Sequence, residues 1–298
     1  MSEGRDRGDR AIARALREAY DDLVACADLR PGPRVDDVFR RLVRLVVEPP
    51  PDRAVRVLDH PEVRPITGHL RELCFEGEYQ LERAWAQRIA TGEHPRAELG
   101  RFPYADNYRR LGEMERDAVA TVGGLVRRGR RDRPVDPGIP PDSGPQVAFV
   151  GSGPLPLTAF QLAADGAARV DNLDRDADAL ALSRRVADAL EVTGLGFRHV
   201  DVGSAPPDGA AGLARYDMVV LAALVGLTPA DKARVLAHLA SAMAPGALLL
   251  VRSARGLRTL LYPEVELEAL AGFDVLDVVH PTDEVINSVI VARKPEDR

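Results

Sequence analysis

Two patterns of apolar and polar positions divide the chain. Over residues 12–130, apolar side chains recur at helical spacing with charged residues between them. The clearest stretch interleaves arginines with the apolar set Val35, Val38, Phe39, Leu42, Val43 and Val46. The proline run at 49–51 should end that helix, and further helices are predicted over about 69–90 and 106–128.

From residue 146 the pattern changes to short apolar runs of strand type. Helical stretches separate these runs, which read QVAFV, ARVDNL, FRHVD, DMVVLAAL, GALLLVRS, DVLDVVH and VINSVIVA. Strands that alternate with helices form a parallel sheet covered on both faces. The connection between the last two runs is too short for a helix, so we expect them to form an antiparallel edge pair. The pattern therefore predicts an α/β fold.

Between these two parts of the chain, proline, glycine and charged residues crowd together. Such a composition is typical of a linker, because proline and glycine interrupt regular structure. We therefore predict a helical N-terminal domain over residues 1–130, a linker over 131–145 and a Rossmann-like domain over 146–298.

Composition and charge narrow the class of protein. The 298 residues include 46 acidic and 40 basic side chains, a net charge of −6, which argues against nucleic acid as the main partner. No apolar run is long enough to span a membrane, and no apolar leader follows the charged N-terminus. A cytoplasmic location without membrane contact is expected. The two cysteines and six histidines lack metal-ligand spacing, so no metal site is predicted.

The sharpest local signal is the segment AFVGSGPLPLT. An apolar strand runs into Gly151, Ser152 and Gly153, and a helix follows, so the backbone can approach a ligand closely. A dinucleotide site usually has a third glycine in this loop, whereas Pro156 stands there. The loop suits a ligand without a pyrophosphate, such as S-adenosylmethionine (SAM), and we predict that its three residues 151–153 bind SAM.

The ends of the later strands add further candidates for the SAM site. Asp174 ends the second strand, where a carboxylate can accept hydrogen bonds from both ribose hydroxyls, while Asp176 is expected to cap the next helix. Asp201 ends the third strand and is expected either to bond the adenine amino group or to close a turn. Leu221 and Ala222 end the fourth strand, and we expect them to lie over the ligand crevice.

A carboxylate on an apolar helix face is the main candidate for catalysis. At 100° per residue, Glu78 falls within the stripe formed by Leu70, Cys74, Leu81, Trp85 and Ile89. A carboxylate there must be paired, bound to a ligand or shifted in pKa. One interpretation pairs Glu78 with Arg71 in the core. The other makes it an amine-binding group or general base, with Glu82, at the edge of the stripe, as the weaker candidate.

Three other polar residues are candidates for the substrate side of the site. Tyr104 and Tyr108 flank a short loop, and their hydroxyls can orient an amino-acid substrate; we take Tyr104 as catalytic with Glu78 and Tyr108 as substrate-binding. Arg252 ends the fifth strand and can pair with a substrate carboxylate. The alternatives are plain aromatic packing for the tyrosines and an ion pair with an aspartate for Arg252. Segment 280–284 is either a pocket wall or a hairpin turn.

Several longer segments of the chain resemble the nicotianamine synthase family. The segments that carry the resemblance cover roughly residues 70–295 and read LCFEGEYQLE, FPYADNY, AFVGSGPLPLT, DNLDRD, YDMVVLAALVG, APGALLLVRSARG, LYPEVE and HPTDEVINSVIVARK. The resemblance implies a helical N-terminal domain that caps a Rossmann-like, class I methyltransferase-like SAM domain. It also implies transfer of the 3-amino-3-carboxypropyl group of SAM instead of the methyl group.

One motif departs from the plant members of that family. Their tyrosine-rich motif reads roughly FPYYNNY, whereas this chain has FPYADNY. Ala105 and Asp106 are therefore expected to alter the acceptor side of the pocket.

The leading hypothesis is a SAM-dependent 3-amino-3-carboxypropyl transferase that acts on a small-molecule amine or amino acid. It would release methylthioadenosine and make a nicotianamine-like metallophore, and a homodimer is the assembly considered for it. Positioning decides which carbon next to the sulfonium reacts, and an acidic residue can accept the proton of the attacking amine. The alternatives are cyclisation of SAM to azetidine-2-carboxylate, an ordinary small-molecule methyltransferase, and a sensor that binds SAM or a metal.

Overall fold

The N-terminal part of the chain is helical. The structure is a computed structural model that describes residues 2–125, 144–164, 168–204 and 212–296. Its first six helices are α1 (Ser2–Val24), α2 (Pro33–Val47), α3 (Ala54–Leu58), α4 (Thr67–Thr91), α5 (Pro95–Gly100) and α6 (Ala105–Thr121). The long helices α4 and α6 agree with prediction, except that α6 stops earlier. Gly123 and Gly124 follow it with φ of 103° and 77°, a left-handed conformation that ends helices.

The helical part buries one apolar face of each long helix. In α2 the buried residues are Val35, Val38, Leu42 and Val46, and the helix ends before the proline run as predicted. This face packs with α1 and with the C-terminal residues Leu257, Leu260 and Ile286. The helical core is therefore continuous with the last third of the chain.

The C-terminal part forms one seven-stranded sheet with the order β3-β2-β1-β4-β5-β7-β6. Its strands are β1 (Gln146–Val150), β2 (Arg169–Asp174), β3 (Leu195–His199), β4 (Met218–Leu221), β5 (Leu248–Ser253), β6 (Asp274–Val279) and β7 (Ser288–Arg293). The first five are parallel, and β7 is antiparallel to both β5 and β6.

The predicted edge pair is correct only in part. Strands β6 and β7 are antiparallel neighbours, but β7 lies inside the sheet, and only β6 is an edge strand. The physical reason is burial, since β7 is almost wholly buried, whereas Val275 and Leu276 of β6 are 39% and 40% exposed. A continuous apolar run such as SVIVA fits an interior strand.

Helices cover both faces of the sheet, which confirms the predicted α/β, Rossmann-like fold. Helices α6 and α7 (Leu157–Ala164) pack on one face, and α9 (Pro229–Ala242) packs on the other. Helix α8 (Ala177–Leu190) packs against α4, where Ala86 and Ile89 meet Leu182 and Val186. This contact brings α4 to the edge of the sheet at which the parallel strands end.

Two further predictions from the sequence concern the linker and contact with a membrane. The predicted linker at 131–145 falls almost entirely outside the described residues, so the division into domains stays a prediction. Among the helices in the described part of the chain, none has the length and apolar character needed to cross a membrane.

Candidate active site

A cavity of about 650 Å³ lies at the carboxyl edge of the sheet, a volume typical of small-molecule sites. The order of the strands reverses between β1 and β4, and ligands of open α/β sheets bind at such a point. Nine of the residues predicted for the site line this cavity: Glu78, Tyr108, Gly151, Ser152, Gly153, Asp174, Asp201, Ala222 and Arg252.

The glycine loop forms one wall of the cavity. Gly151 and Gly153 have φ of 75° and 64°, a conformation that side chains with a Cβ rarely adopt. A Cβ at Gly151 would also overlap the side chain of Val225. The Gly153 N–H donates to Asp174 Oδ2 over 2.8 Å, and Asp174 Oδ1 accepts from the Asp176 N–H over 2.9 Å. Asp174 thus holds the loop while it lines the cavity.

Asp176 caps helix α8, as the sequence predicts. Its side chain accepts hydrogen bonds from the N–H groups of Asp178 and Ala179, which satisfies two free donors of the first helical turn. Its other oxygen accepts from the Tyr79 hydroxyl over 2.6 Å. Tyr79 belongs to α4, so this bond fastens α4 to the wall that carries the glycine loop.

Asp201 and the end of β4 complete this wall. Asp201 is exposed and closes a turn, because its carboxylate accepts from the Gly203 N–H and the Ser204 hydroxyl, each over 2.9 Å. The structure therefore contains the turn alternative, and an adenine contact stays a prediction. Ala222 lines the cavity, but Leu221 is fully buried in the core of the sheet and does not line it.

Two glutamates of α4 and two tyrosines form the opposite wall. The Tyr108 hydroxyl donates to Glu82 Oε1 over 2.8 Å and lies 3.4 Å from Glu78 Oε1. The Tyr262 hydroxyl donates to Glu78 Oε2 over 2.6 Å. The alternative pairing of Glu78 with Arg71 is wrong, because Arg71 donates to the carbonyl of Thr259 instead.

Burial controls the charge of this wall. Removal from water raises the pKa of Glu78, and burial together with the nearby Glu78 carboxylate raises the pKa of Glu82 to about 8. Burial also raises the pKa of Tyr108 and Tyr262, so both hydroxyls keep the protons that they donate. A carboxyl group with a pKa near neutral can exchange a proton at working pH.

Arg252 lies behind the two glutamates. Its guanidinium donates to both carboxylate oxygens of Glu115 on α6, over 2.7 and 3.2 Å, and also to the Thr158 hydroxyl. Both side chains of this ion pair are 6% exposed. Arg252 therefore forms an ion pair, as the alternative predicted, but its partner is Glu115 and not an aspartate. Arg252 also lines the cavity, and its contact with a substrate carboxylate stays a prediction.

Tyr104 and the neighbouring residues are not brought to the cavity. Tyr104 packs edge to face on Phe102, with ring centroids 6.1 Å apart, and it is absent from the cavity lining, as are Ala105 and Asp106. Asp106 points outward and pairs with Arg109 and Arg110. The expectation that 105 and 106 alter the acceptor side is therefore not supported. Residues 280–283 of the segment 280–284 line a separate surface groove.

Sequence reasoning missed several residues of the cavity wall, among them Phe75, Tyr79, Tyr262 and Asn287. Tyr262 and Asn287 belong to the segments LYPEVE and HPTDEVINS, which gave no periodic or spacing signal of their own. Asn287 reaches the cavity because β7 runs antiparallel, which brings the chain before Ser288 beside Ser253 at the carboxyl end of β5. Tyr262 lies in the segment that follows β5.

The fold and this crevice together define a Rossmann-like protein with a small-molecule site at the carboxyl edge of its sheet. The sequence model of the family described as nicotianamine synthase protein matches residues 5–298. Nicotianamine synthase 2 of Oryza sativa subsp. japonica is 42% identical over 278 residues, which are 91% of this chain and 78% of that protein. The chain belongs to the nicotianamine synthase family. This membership confirms the resemblance and the prediction of a SAM-dependent transferase.

Further relatives agree with this assignment. Probable nicotianamine synthase 3 of Hordeum vulgare is 38% identical over 293 residues, which are 96% of this chain and 81% of that protein. A crystal structure of MtNAS in complex with MTA and tNA has a TM-score of 0.77 at 23% identity and covers 95% of this chain and 96% of that one. A mutant of MtNAS in complex with SAM has a TM-score of 0.76 at 22% identity, with coverage of 95% and 98%. These two structures share the fold of the whole chain.

Proposed function

We propose that this chain transfers the 3-amino-3-carboxypropyl group of SAM to an amine, releases methylthioadenosine and builds a nicotianamine-like product. One observation carries the proposal: a single crevice holds two walls in contact. The nucleoside wall consists of the loop 151–153 with Asp174, and the acidic wall consists of Glu78, Glu82, Tyr108 and Tyr262. A Cβ placed on Gly153 would stand only 3.0 Å from Glu82 Oε2. A proton acceptor thus lies directly beside the loop expected to hold SAM.

The nucleoside wall supplies binding and orientation. The loop 151–153 leaves room for the amino-acid part of SAM, and the Asp174 carboxylate can accept hydrogen bonds from the ribose hydroxyls. Held in this way, SAM presents one of its three electrophilic carbons to the acidic wall. Since the wall of α4 carries carboxylates, the group that approaches from there is an amine.

The acidic wall accepts the proton of the reaction. The amine nitrogen forms a bond to the γ-carbon of the aminobutyrate group, and the bond from that carbon to sulfur breaks with its electron pair going to sulfur. The sulfonium becomes a neutral thioether, and the new ammonium group loses a proton to a carboxylate. Glu82 Oε2 faces the glycine loop, while Oε1 is held by Tyr108, so we assign the proton to Glu82.

Glu78 has a neighbouring role. Its Oε2 accepts a hydrogen bond from the Tyr262 hydroxyl, while its Oε1 lies 3.4 Å from the Tyr108 hydroxyl, so in its deprotonated form it favours a cationic amine nearby. In this proposal Glu78 is a second catalytic carboxylate, which shares a proton with Glu82. Tyr104 has no place in this scheme as an acid or base, because it does not line the cavity.

The relatives support the same reaction. Their names describe the synthesis of nicotianamine, and MtNAS has been solved with SAM and with MTA and tNA. The FPYADNY departure lies outside the cavity lining, so it gives no reason for a different acceptor. The acceptor is therefore expected to be an amino-acid amine that SAM itself supplies. The predicted homodimer and cytoplasmic location remain predictions.

The direct test incubates the protein with SAM alone and with SAM plus a pool of amino acids. Mass spectrometry then identifies both the nucleoside and the amino-acid product. Transfer predicts methylthioadenosine together with a product that contains at least two linked aminobutyrate units or one unit joined to an added amino acid. S-adenosylhomocysteine as the main nucleoside would reject the proposal in favour of a methyltransferase.

Cyclisation of SAM is the second candidate, because it uses the same electrophilic carbon and also releases methylthioadenosine. It differs in the product, which would be azetidine-2-carboxylate at every concentration of added amine. The size of the crevice, about 650 Å³, favours transfer, because that space suits a second molecule beside the nucleoside.

A further inference from the structure

Asn287 is a buried polar residue of the cavity that the mechanism above does not use. It lines the cavity and is 7% exposed, yet its amide nitrogen Nδ2 has no hydrogen-bond partner within the described part of the chain. A buried donor without a partner costs about 1–3 kcal/mol. Buried polar groups of native proteins nearly always have a hydrogen-bond partner, which for a cavity residue can be a ligand, an ion or an ordered water.

The sheet topology places Asn287 on the face of the sheet that carries Arg252. Val289 of β7 lies directly opposite Arg252 of β5, and residues two apart on a strand share one face of the sheet. Continuing that register places Asn287 on the same face as Arg252, at the carboxyl edge where the cavity opens. Helix α6, which carries Glu115, packs on this face as well.

The charged side chains near Asn287 determine which group of a ligand it would contact. Glu78, Glu82 and Glu115 supply three carboxyl groups against one guanidinium, Arg252, which already pairs with Glu115. Glu115 is neutralised by its ion pair, whereas Glu78 and Glu82, when deprotonated, attract the amine of an amino acid and repel its carboxylate. That carboxylate therefore needs N–H donors close by, and an amide nitrogen can only donate.

We propose that Asn287 binds the carboxylate of the amino-acid acceptor, beside Arg252, by donating a hydrogen bond from Nδ2. This inference rests on the proposed transferase function and extends it to a residue that selects amino-acid acceptors. The amine of the acceptor then meets Glu82, and its carboxylate meets Asn287, so the residue orients the nucleophile towards SAM.

Three ligands separate this role from contact with SAM. Methylthioadenosine has no carboxylate, S-adenosylhomocysteine carries only the carboxylate of the donor, and nicotianamine carries the carboxylate of the acceptor part together with those of the transferred groups. Calorimetry on Asn287→Ala should find nicotianamine binding, measured with saturating methylthioadenosine, weakened about tenfold or more. Binding of methylthioadenosine and S-adenosylhomocysteine should stay within about twofold of the wild type, which also checks that the variant folds.

A neighbouring substitution provides the matched control. Ser288 is buried, bonds His280 and does not line the cavity, so Ser288→Ala should leave all three affinities unchanged. If Asn287→Ala does not fold, the isosteric Asn287→Asp replaces the donor by a repelling carboxylate and should weaken nicotianamine binding further.

Three results would overturn the inference. The first is unchanged nicotianamine binding by both Asn287 variants, and the second is no nicotianamine binding by the wild type. The third is weakened S-adenosylhomocysteine binding with nicotianamine binding unaffected, which would move Asn287 to the donor carboxylate. Release of methylthioadenosine by the wild type, measured in parallel, tests the proposed function separately.

Discussion

The two walls of the crevice are built in different ways. The nucleoside wall comes from consecutive strand–loop–helix connections, and Asp174 reaches the glycine loop across a single pair of neighbouring strands. The acidic wall is assembled from distant segments, because Glu82 and Tyr108 are 26 residues apart and Glu78 and Tyr262 are 184 apart. Binding thus follows from local backbone geometry, while the chemistry depends on tertiary packing. The two walls should therefore respond differently to substitution.

The largest effect is expected on the acidic wall. Glu82→Gln keeps the shape of the side chain but removes the proton acceptor, so the transfer rate should fall by roughly 10²–10⁴. SAM affinity, measured by calorimetry, should change little because the glycine loop is untouched. Glu72 is an exposed residue of the same helix, and Glu72→Gln serves as the control. Near-normal turnover by Glu82→Gln would remove Glu82 from the mechanism.

The next largest effect concerns stability. Arg252→Met leaves the Glu115 carboxylate buried without its partner, which should lower the free energy of unfolding by about 3–5 kcal/mol. Chemical denaturation measures this loss. The double variant with Glu115→Gln should recover part of it, because no uncompensated charge then remains buried. An unaltered unfolding midpoint in Arg252→Met would contradict the ion pair.

The pH dependence distinguishes the walls further. The pKa of Glu82 is raised to about 8, and a proton acceptor must be deprotonated. The value of kcat/KM should therefore fall as the pH drops below about 8, by up to about tenfold per pH unit. Comparison with Glu82→Gln isolates this group, since protonation of the substrate amine affects both proteins. Equal slopes in the two proteins would show that another group titrates.

The smallest effect is expected on the nucleoside wall. Asp174→Ala should weaken SAM binding by about 1–3 kcal/mol, the value of a hydrogen bond to a charged group. Calorimetry gives the affinity, and circular dichroism checks that the variant is folded. Asp201→Ala should have less effect, because its carboxylate is exposed and already engaged in a turn. Unchanged SAM affinity in a folded Asp174→Ala would reject the ribose assignment.

The difference between the locally built nucleoside wall and the acidic wall also explains how much of the structure the sequence could predict. The strands, the glycine loop, the Asp176 cap and the position of Asp174 depend on residues close together in the chain, and the structure contains them as predicted. Leu221 failed as a cavity residue because β4 is buried along its whole length. The sequence shows where a strand ends, but it does not show which side chain at that end lines the cavity.

Residues positioned by tertiary packing were harder to predict. A helical wheel puts Glu78 and Glu82 on neighbouring positions of α4, but only Gly153, Tyr108 and Tyr262 decide which carboxylate faces the loop. Tyr104 and Tyr108 are one turn apart at the start of α6, and their different surroundings follow from how α6 packs. The interior position of β7, which brings Asn287 to the cavity, depends on pairing between strands far apart in sequence.

One measurement tests the central claim most directly. The protein is incubated with SAM that carries an isotopic label on the methyl carbon, and the label is followed by mass spectrometry. If the aminocarboxypropyl group is transferred, all of the label should appear in methylthioadenosine and none in the amino-acid product. Label in the acceptor, with unlabelled S-adenosylhomocysteine as the nucleoside, would contradict the account.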